Sequence, residues 1–509
     1  MDDQTKGPKI ENRPAFASGW IRRKSIEQIQ AEYASGELKK TLGPWNLLFL
    51  GIGCIIGAGI FVRTGNAAAL HAGPAVLLAF LVAGLVCAFA GLCYAELASV
   101  LPVSGSAYTY SYATLGELAA WMMGALLLLE YGLAASVVAV GWSGYIVSLL
   151  HDWNIIIPPE FTGPMGHAVA TIDGGSVTGV LNLPALLVCL LIMSLLVVGV
   201  SESATANNII VVIKGAVIVA FILIGGWVIL QTPDKFLPNW EPFVPEPTGV
   251  RGEYGVGGVM RAASIVFFAY IGFEAVSTAG QEAKNPKKDM PFGIIGSLIV
   301  CTVLYMGTAA VLTLLVNYKD LNTPAPVADA VNALPANWAW FKVAIKLGAI
   351  AGLTSVILVL MYGQTRIFYT MARDGLLPGV FGKVHARFKT PWTNTILVGV
   401  IVAIAAAVFD INTLGDLTSV GTLAAFSVVC VTVMYLRNTR PDLERGFVVP
   451  LYPFVPIAGI ISCVYLITTV EARVLTFFAI YVAIAFIVYF LYGTHNSAIG
   501  KELKASRKA

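Results

Sequence analysis

The chain has 509 residues, of which 57% are hydrophobic and 12% are charged, and its mean hydropathy is +0.78. Soluble globular domains are about 45–50% apolar and about 25% charged, so this composition excludes a soluble protein of this length. The formal net charge is only +3. We interpret this charge as a membrane-topology signal, and no nucleic acid is expected as a partner.

Twelve stretches are long enough to cross a bilayer, which takes about 20 apolar residues. They are spans 1 to 12, near 45–63, 72–99, 117–150, 182–200, 208–231, 256–279, 291–317, 339–370, 393–410, 414–436, 450–470 and 474–493. The sequence therefore predicts an all-α polytopic membrane protein. All seven cysteines lie within these spans, and no metal-ligand spacing occurs. Neither a disulfide nor a metal is expected.

Lysine and arginine are unevenly distributed between the two sides of the membrane. The two tails and the loops on their side carry 23 of them, and the opposite loops carry four. The positive-inside rule then places both termini in the cytoplasm. The first 44 residues are polar and contain no signal-peptide core. A capping-box pattern at Ser25 predicts a short amphipathic helix near 26–35 on the inner surface.

Span 1 contains the segment LGIGCIIGAGIFVRTG at residues 50–65. Each interior glycine lowers helix stability by about 1 kcal/mol relative to alanine. Irregular backbone is tolerated at membrane depth only where it is buried in protein or lines a cavity. Because Gly57, Ala58 and Gly59 are consecutive, we interpret this span as a broken helix at a binding site. Close helix packing through small residues is the alternative.

Span 6 also has a weak centre, at Tyr270–Gly272, followed by the acidic residue Glu274. Two interrupted helices in corresponding positions indicate an inverted-repeat transporter. The prediction is a first repeat at 45–231 and a second repeat at 256–436. Spans 11 and 12, at 450–493, lie outside this core, and residues 1–44 and 494–509 form cytoplasmic tails.

Three ionisable residues lie deep within the spans, and such residues are functional candidates. Lys214 in span 5 is interpreted as a buried ammonium that can exchange a proton, or as a side chain that snorkels to the inner surface. Glu130 in span 3 could pair with Lys214, hold a water or face a cationic substrate group. Glu274 could act in gating or accept hydrogen bonds at the broken part of span 6. A protonated, structurally satisfied glutamic acid is the alternative for both carboxyl groups.

Several motifs resemble one superfamily. They are GIGCIIGAGIF in span 1, ESATANNIIVVIK in span 5, FFAYIGFEAVST followed by EAKNPKKDMP in span 6, and GQTRIFYTMARDGLLP after span 8. These segments are similar to the amino acid–polyamine–organocation superfamily, and within it to prokaryotic relatives of the cationic amino acid transporters. The resemblance covers residues 36 to 495. It implies a LeuT-type fold of 5+5 inverted repeats with spans 1 and 6 unwound.

The resemblance also implies a substrate site made largely of backbone. The N–H groups of Ala58, Gly59 and Ile60 would bind a carboxylate, as helix N-termini do, with Gly57 and Gly59 leaving room for it. The carbonyls of Ile55, Phe268, Ala269 and Ile271 would bind an α-ammonium. Phe268 matches the family's gate, Lys214 its proton-coupling lysine, and Glu130 and Leu358 its side-chain selectivity positions.

This resemblance implies import of L-amino acids by alternating access in the cell membrane, coupled to H⁺ and needing no cofactor. Small neutral substrates such as alanine are expected first, because Leu358 would narrow the pocket. Arginine, lysine or ornithine come second. An exchanger is the nearest alternative, and a non-transporting sensor shares the fold. Channel and enzyme signatures are missing from the sequence. The expected partners are the substrate and membrane lipids, with the oligomeric state left open.

Overall fold

The computed structural model describes residues 21–26, 40–103, 105–171, 175–199 and 204–501. Within these residues, eight helical segments are long and apolar enough to cross a membrane, and three shorter apolar helices accompany them. The first segment runs from 44 to 100 and includes two of the predicted spans. The protein is thus an all-α polytopic membrane protein. The amphipathic helix predicted near 26–35 falls outside the described residues, apart from Ile26.

The described α-helices are, in chain order, α1 (Pro44–Ile55), α2 (Thr64–Ala67), α3 (Val76–Val100), α4 (Ser106–Thr114), α5 (Glu117–Leu127), α6 (Ala134–Asp152), α7 (Leu183–Val198), α8 (Ala204–Gln231), α9 (Pro233–Phe236), α10 (Gly255–Val266), α11 (Pro286–Leu315), α12 (Pro326–Asn332), α13 (Ala339–Arg373), α14 (Trp392–Val408), α15 (Ile411–Thr439), α16 (Phe454–Thr468), α17 (Ala472–Val488) and α18 (Thr494–Asn496).

Tighter and wider helical turns interrupt this pattern. The π-helical segments are Gly59–Arg63, Ala68–Ala72, Leu128–Leu133 and Tyr489–Gly493. The 3₁₀ segments are Gly73–Ala75, Pro159–Phe161, Leu237–Trp240, Phe267–Tyr270, Phe273–Glu282, Tyr318–Asp320, Ala336–Trp338 and Gly379–Gly382. Two short antiparallel strands, β1 (Ala168–Ala170) and β2 (Ser176–Thr178), pair Val169 with Val177 in the loop before α7.

The helices pack around the two interrupted spans. Helix α11 lies along both α3 and α1, and α13 lies along α6 and α8. Helix α10 packs on α3, and α15 packs on α16 and on the π-helical segment that follows α5. The interior is largely apolar, and buried polar side chains occur in most of the helices, including those next to the interruptions of spans 1 and 6.

Candidate functional site

The first interruption lies in span 1. Helix α1 begins at Pro44, whose missing N–H is harmless at a first helical position, and ends at Ile55. Ile56 is extended, with φ −69° and ψ 101°, and helical geometry resumes at Ala58 and continues into the π-helical segment. The first N–H groups of a helix have no partner within it. The predicted carboxylate-binding positions Ala58, Gly59 and Ile60 therefore lie at a half-helix start, and all three are buried.

The second interruption lies in span 6. Helix α10 passes into the 3₁₀ segment Phe267–Tyr270, and the chain then turns sharply at Gly272, with φ 119°. This left-handed conformation costs glycine little. A second 3₁₀ segment, Phe273–Glu282, follows. Phe268, Ala269 and Ile271 are buried beside the turn.

The two interruptions touch each other. A Cβ atom built on Gly59 would lie 2.1 Å from the Ala269 Cα, and one built on Gly272 would lie 2.7 Å from the Cys54 carbonyl carbon. Both separations are shorter than carbon atoms tolerate, so only glycine permits this approach of the two backbones. The structure thus brings the predicted carboxylate-binding and ammonium-binding segments together.

Buried tyrosines hold the backbone near the break in span 1. Tyr305 Oη donates to the Ile55 carbonyl at 2.8 Å, and Tyr145 Oη donates to the Phe61 carbonyl at 2.7 Å. The Ile55 carbonyl, predicted to bind an ammonium, therefore already accepts one hydrogen bond. Neither tyrosine was predicted from the sequence. The available signal was that a buried tyrosine hydroxyl usually needs a hydrogen-bond partner.

Glu274 stabilises the turn of span 6. Its carboxylate accepts the Gly272 N–H at 2.9 Å and the Tyr131 hydroxyl at 3.2 Å. A carboxylate that accepts a backbone N–H at a helix start is favourably placed. Tyr131 follows Glu130 in the π-helical segment of span 3. Glu274 therefore connects span 3 to the broken part of span 6.

Glu130 is fully buried, and neither carboxylate oxygen accepts a hydrogen bond from a described group. The π-helical geometry of Leu128–Leu133 places it in the interior, and such bulges are frequent at functional sites. The predicted pairing with Lys214 is not among the ion pairs of the described residues. The carboxyl group of Glu130 interacts with that of Glu274 instead.

Lys214 points into the bundle, and only 2% of its surface is exposed. Its ammonium donates to the Gly53 carbonyl of α1 at 3.0 Å, and its side chain packs beside Gly352 of α13. This position differs from snorkelling, in which the charged end reaches the surface. Lys214 therefore links span 5 to the half of span 1 that precedes its break.

Helix α13 presents to span 1 a different residue from the one that the resemblance implied. A Cβ on Gly57 would lie 3.3 Å from the methyl groups of Val356, so Val356 faces the interruption. Leu358 is half-buried and lies two positions further along. Two residues turn an α-helix by about 200°. The resemblance did not identify this position of Val356 beside the interruption.

A buried cluster of charges was also missed. Arg63, at the end of the span 1 π-helix, binds Asp416 of α15 at 2.8 Å and Asn412 at 2.9 Å. Arg261 of α10 binds the other carboxylate oxygen of Asp416 and donates to Ser264 at 3.1 Å. One carboxylate thus joins spans 1 and 6. Arginine and aspartate this deeply buried are rare unless they are paired.

Chemically, the centre of the molecule offers backbone donors and acceptors, two carboxyl groups and one ammonium. The described residues contain no group of three or more histidine, cysteine or acidic side chains that could hold a metal. An arrangement of half-helix ends around a central point suits a small zwitterion better than it suits covalent chemistry.

Comparisons with known proteins identify the family of the chain. The sequence model described as "Amino acid permease" matches residues 42–495. A methylthioribose transporter of Bacillus subtilis is 45% identical, covering 95% of this chain and 100% of the relative. The branched-chain amino acid permease BcaP of the same species is 42% identical, covering 94% and 99%. The vacuolar cationic amino acid transporter 4 of Arabidopsis thaliana is 35% identical, covering 83% and 68%.

The family match spans nearly the whole chain, and the two bacterial relatives align with it almost end to end. This family consists of transporters and not of enzymes. The chain therefore belongs to the amino acid permease family, within the amino acid–polyamine–organocation superfamily.

Proposed function

We propose that this protein imports a small neutral L-amino acid across the cell membrane by alternating access, with H⁺ as the coupling ion. The observation that carries the proposal is the contact between the interruptions of spans 1 and 6 at Gly59 and Ala269. It supports the LeuT-type 5+5 repeat, in which two broken helices surround the substrate. The substrate carboxylate would lie against the N–H groups of Ala58, Gly59 and Ile60.

The α-ammonium would lie against the carbonyls of Phe268, Ala269 and Ile271, with Ile55 as a further acceptor beside the hydroxyl of Tyr305. Phe268 would close over the substrate as the gate. These contacts use only groups shared by all amino acids. Selectivity would then depend on the walls, to which Glu130, Leu358 and Val356 contribute.

Lys214 is proposed as the proton-coupling group. As an ammonium it makes a charge-assisted hydrogen bond to the Gly53 carbonyl, and such bonds are about twice as strong as neutral ones. Loss of its proton would weaken this link and release the inner half of span 1. With both termini in the cytoplasm, that release would open the substrate site inward.

The relatives refine the choice of substrate. A branched-chain amino acid permease at 42% identity favours a neutral side chain over a cationic one. The cationic transporters are more distant, at 35% identity. Leucine, isoleucine and valine therefore join alanine as the first candidates, and arginine, lysine and ornithine remain second.

Methylthioribose is a second candidate substrate, because a transporter of that name is 45% identical over the whole of its length. A sugar has neither an α-carboxylate nor an α-ammonium group. It would therefore leave the half-helix ends without their proposed charged partners. The methylthioribose candidate therefore predicts that amino acids do not compete for uptake, whereas the proposed amino acid site predicts that they do.

The test is uptake by proteoliposomes of labelled alanine, leucine, arginine and methylthioribose, without sodium, with and without an inward pH gradient. We expect gradient-dependent accumulation of a neutral amino acid. Lys214→Ala should keep substrate binding and lose the gradient dependence. Uptake only into vesicles preloaded with amino acid would show an exchanger, and accumulation of methylthioribose alone would overturn the amino acid proposal.

The proposed pocket-wall positions, Leu358 and Val356, are tested by replacing each with a smaller residue. Leu358→Ser and Val356→Ala should each enlarge the set of accepted side chains if the residue contacts the substrate. Competition of arginine, leucine and alanine for the labelled substrate measures this. A residue whose replacement leaves the competition order unchanged is not part of the wall.

A further inference from the structure

Two buried carboxyl groups face each other beside the broken part of span 6. Glu130 is fully buried and Glu274 is 1% exposed. Tyr131, the chain neighbour of Glu130, donates to Glu274 at 3.2 Å, and the two carboxyl groups interact with each other. No lysine, arginine or histidine among the described residues forms an ion pair with either one. Two carboxylates so close together repel strongly where water is excluded.

The hydrogen bonds of the pair are unequal. Glu274 accepts from the Gly272 N–H and from the Tyr131 hydroxyl. Glu130 accepts from no described group at either oxygen. A buried carboxylate without donors is costly. A proton on one member of the pair would supply the missing donor to the other and remove the repulsion.

The groups around the pair are uncharged. Tyr131 of span 3 donates to Glu274 at 3.2 Å, and Tyr94 of α3 is buried with a hydroxyl that bonds to no described group. The ammonium of Lys214 donates to the Gly53 carbonyl. The described surroundings therefore provide polar contacts but no ion pair for two negative charges.

We propose that Glu130 and Glu274 hold one proton between them and form a proton-binding site separate from Lys214. A carboxylic acid that donates to a neighbouring carboxylate is the arrangement by which two adjacent acids share one proton. The shared proton fastens the π-helical segment of span 3 to the 3₁₀ segment Phe273–Glu282. Its departure leaves two like charges in contact and drives these segments apart.

The transport consequence rests on the proposed function, but the proton-binding site itself does not. In a proton-coupled carrier, the protonated pair would hold span 6 against span 3. The deprotonated pair would repel the two spans, so proton release would be coupled to movement of the inner half of span 6. Gly272 lies at the start of that half, so the movement would begin at the existing turn.

The test is infrared spectroscopy of the purified, unliganded protein at pH 7. A protonated carboxylic acid has a C=O stretch well separated from carboxylate bands. Difference spectra would be recorded for wild type minus Glu130→Gln and wild type minus Glu274→Gln. Glu444→Gln is the control, since Lys287 at 2.7 Å lowers the pKa of this exposed carboxyl group and keeps it ionised.

We expect an acid band in both glutamate difference spectra and none in the control. A band in only one spectrum would assign the proton to a single residue and overturn the sharing. A band in neither would overturn the site. If a glutamine variant fails to fold, Glu130→Asp and Glu274→Asp replace it, and each should then shift the acid band, whereas an unshifted band would contradict the proposal.

Because this measurement needs no substrate, it separates the two proposals. If the protein transports none of the four substrates but shows both acid bands, the proposed carboxyl pair stands and the proposed function is wrong. If the protein accumulates an amino acid but lacks the bands, the proposed function stands and the proposed carboxyl pair is wrong.

Discussion

Spans 1 and 6 are joined at both ends, but by different chemistry. At the end remote from the tails, which we call the ion-pair end, Arg63 and Arg261 share Asp416, and the Arg63 and Asp416 side chains are only 1% and 4% exposed. At the tail end, the Leu42 N–H donates to the Glu282 carbonyl at 3.0 Å and the Lys284 N–H donates to the Leu42 carbonyl at 2.8 Å. Buried ion pairs therefore join the two spans at the ion-pair end, and backbone hydrogen bonds join them at the tail end.

This difference shows that the contacts between spans 1 and 6 can differ in strength at the two sides of the membrane. A buried ion pair is strongly orientation-dependent, and removal of one partner leaves a charge that nothing compensates. A pair of backbone hydrogen bonds contributes only about 0.5–1.5 kcal/mol each and can re-form with water. If the tails lie in the cytoplasm, as the positive-inside rule predicts, the weaker connection lies on the side toward which the proposed importer would release its substrate.

The largest expected effect follows from breaking the ion-pair end. Asp416→Ala leaves two arginines without their carboxylate, and removal of one member of a buried pair costs about 3–5 kcal/mol. Thermal unfolding of the purified protein would measure the loss. Asp442→Ala is the matched control, because its partner Arg440 lies in a loop and the Asp442 side chain is 63% exposed. Equal stability of the two variants would show that the Arg63–Asp416–Arg261 cluster does not stabilise the contact between spans 1 and 6.

The middle of the two spans should be nearly as sensitive. Gly59→Ala would place a methyl group 2.1 Å from the Ala269 Cα, and backbone atoms cannot move aside as a side chain can. Overpacking of this kind costs about 1–3 kcal/mol, and we expect substrate binding to be lost with it. Gly226→Ala in α8, where a Cβ meets nothing within 4 Å, is the control. Binding retained by Gly59→Ala would contradict the close approach of the two interruptions.

The tail end should give a smaller change. Lys284→Pro removes the N–H that donates to the Leu42 carbonyl, and the loss of one such bond is worth about 1 kcal/mol. Lys284→Ala keeps the N–H and removes only the side chain, so it should be neutral. Unfolding by denaturant would compare the two variants. A proline variant as stable as the alanine variant would mean that this bridge does not hold span 6.

The smallest effect concerns Asp329 in α12, between α11 and α13. Burial raises the pKa of this carboxyl group above its usual value, although Thr323 donates to it at 2.5 Å. The folded protein then binds more protons than the unfolded chain just above pH 4, so stability falls as pH rises through that window. Asp329→Asn should flatten the profile, as measured by unfolding between pH 4 and 7. An unchanged slope would contradict the shift.

The sequence predicted the helical membrane fold and the two interruptions correctly, because glycine destabilises a helix whatever packs around it. The break in span 1 lies at Ile56 and Gly57, beside the predicted glycines, and the turn in span 6 lies at Gly272. The twelve-span inverted repeat remains a prediction, and so do the roles of the substrate-binding residues.

Side-chain partners could not be predicted in the same way. The pairing of Arg63 with Asp416 joins residues 353 positions apart, and no local pattern encodes it. The direction of Lys214 depends on which face of α8 meets span 1. The sequence did not predict that Val356 lies beside Gly57, because a two-residue difference in alignment moves a side chain to another face of the helix. Each of these facts belongs to packing and not to local sequence.

The π-helical turn at Leu128–Leu133 has a consequence for how this chain can change over evolutionary time. A π-helical turn contains one residue more than an α-helical turn, so deletion of a single residue there would restore a regular helix. Because the extra residue is accommodated within this turn, the helix on either side would keep its orientation, and the residues inside the turn would shift by about 100° relative to one flank. Glu130 and Tyr131 would turn away from Glu274 without any substitution at those positions. In this segment, deletion of one residue would therefore disrupt the contact between spans 3 and 6 as directly as a substitution of Tyr131.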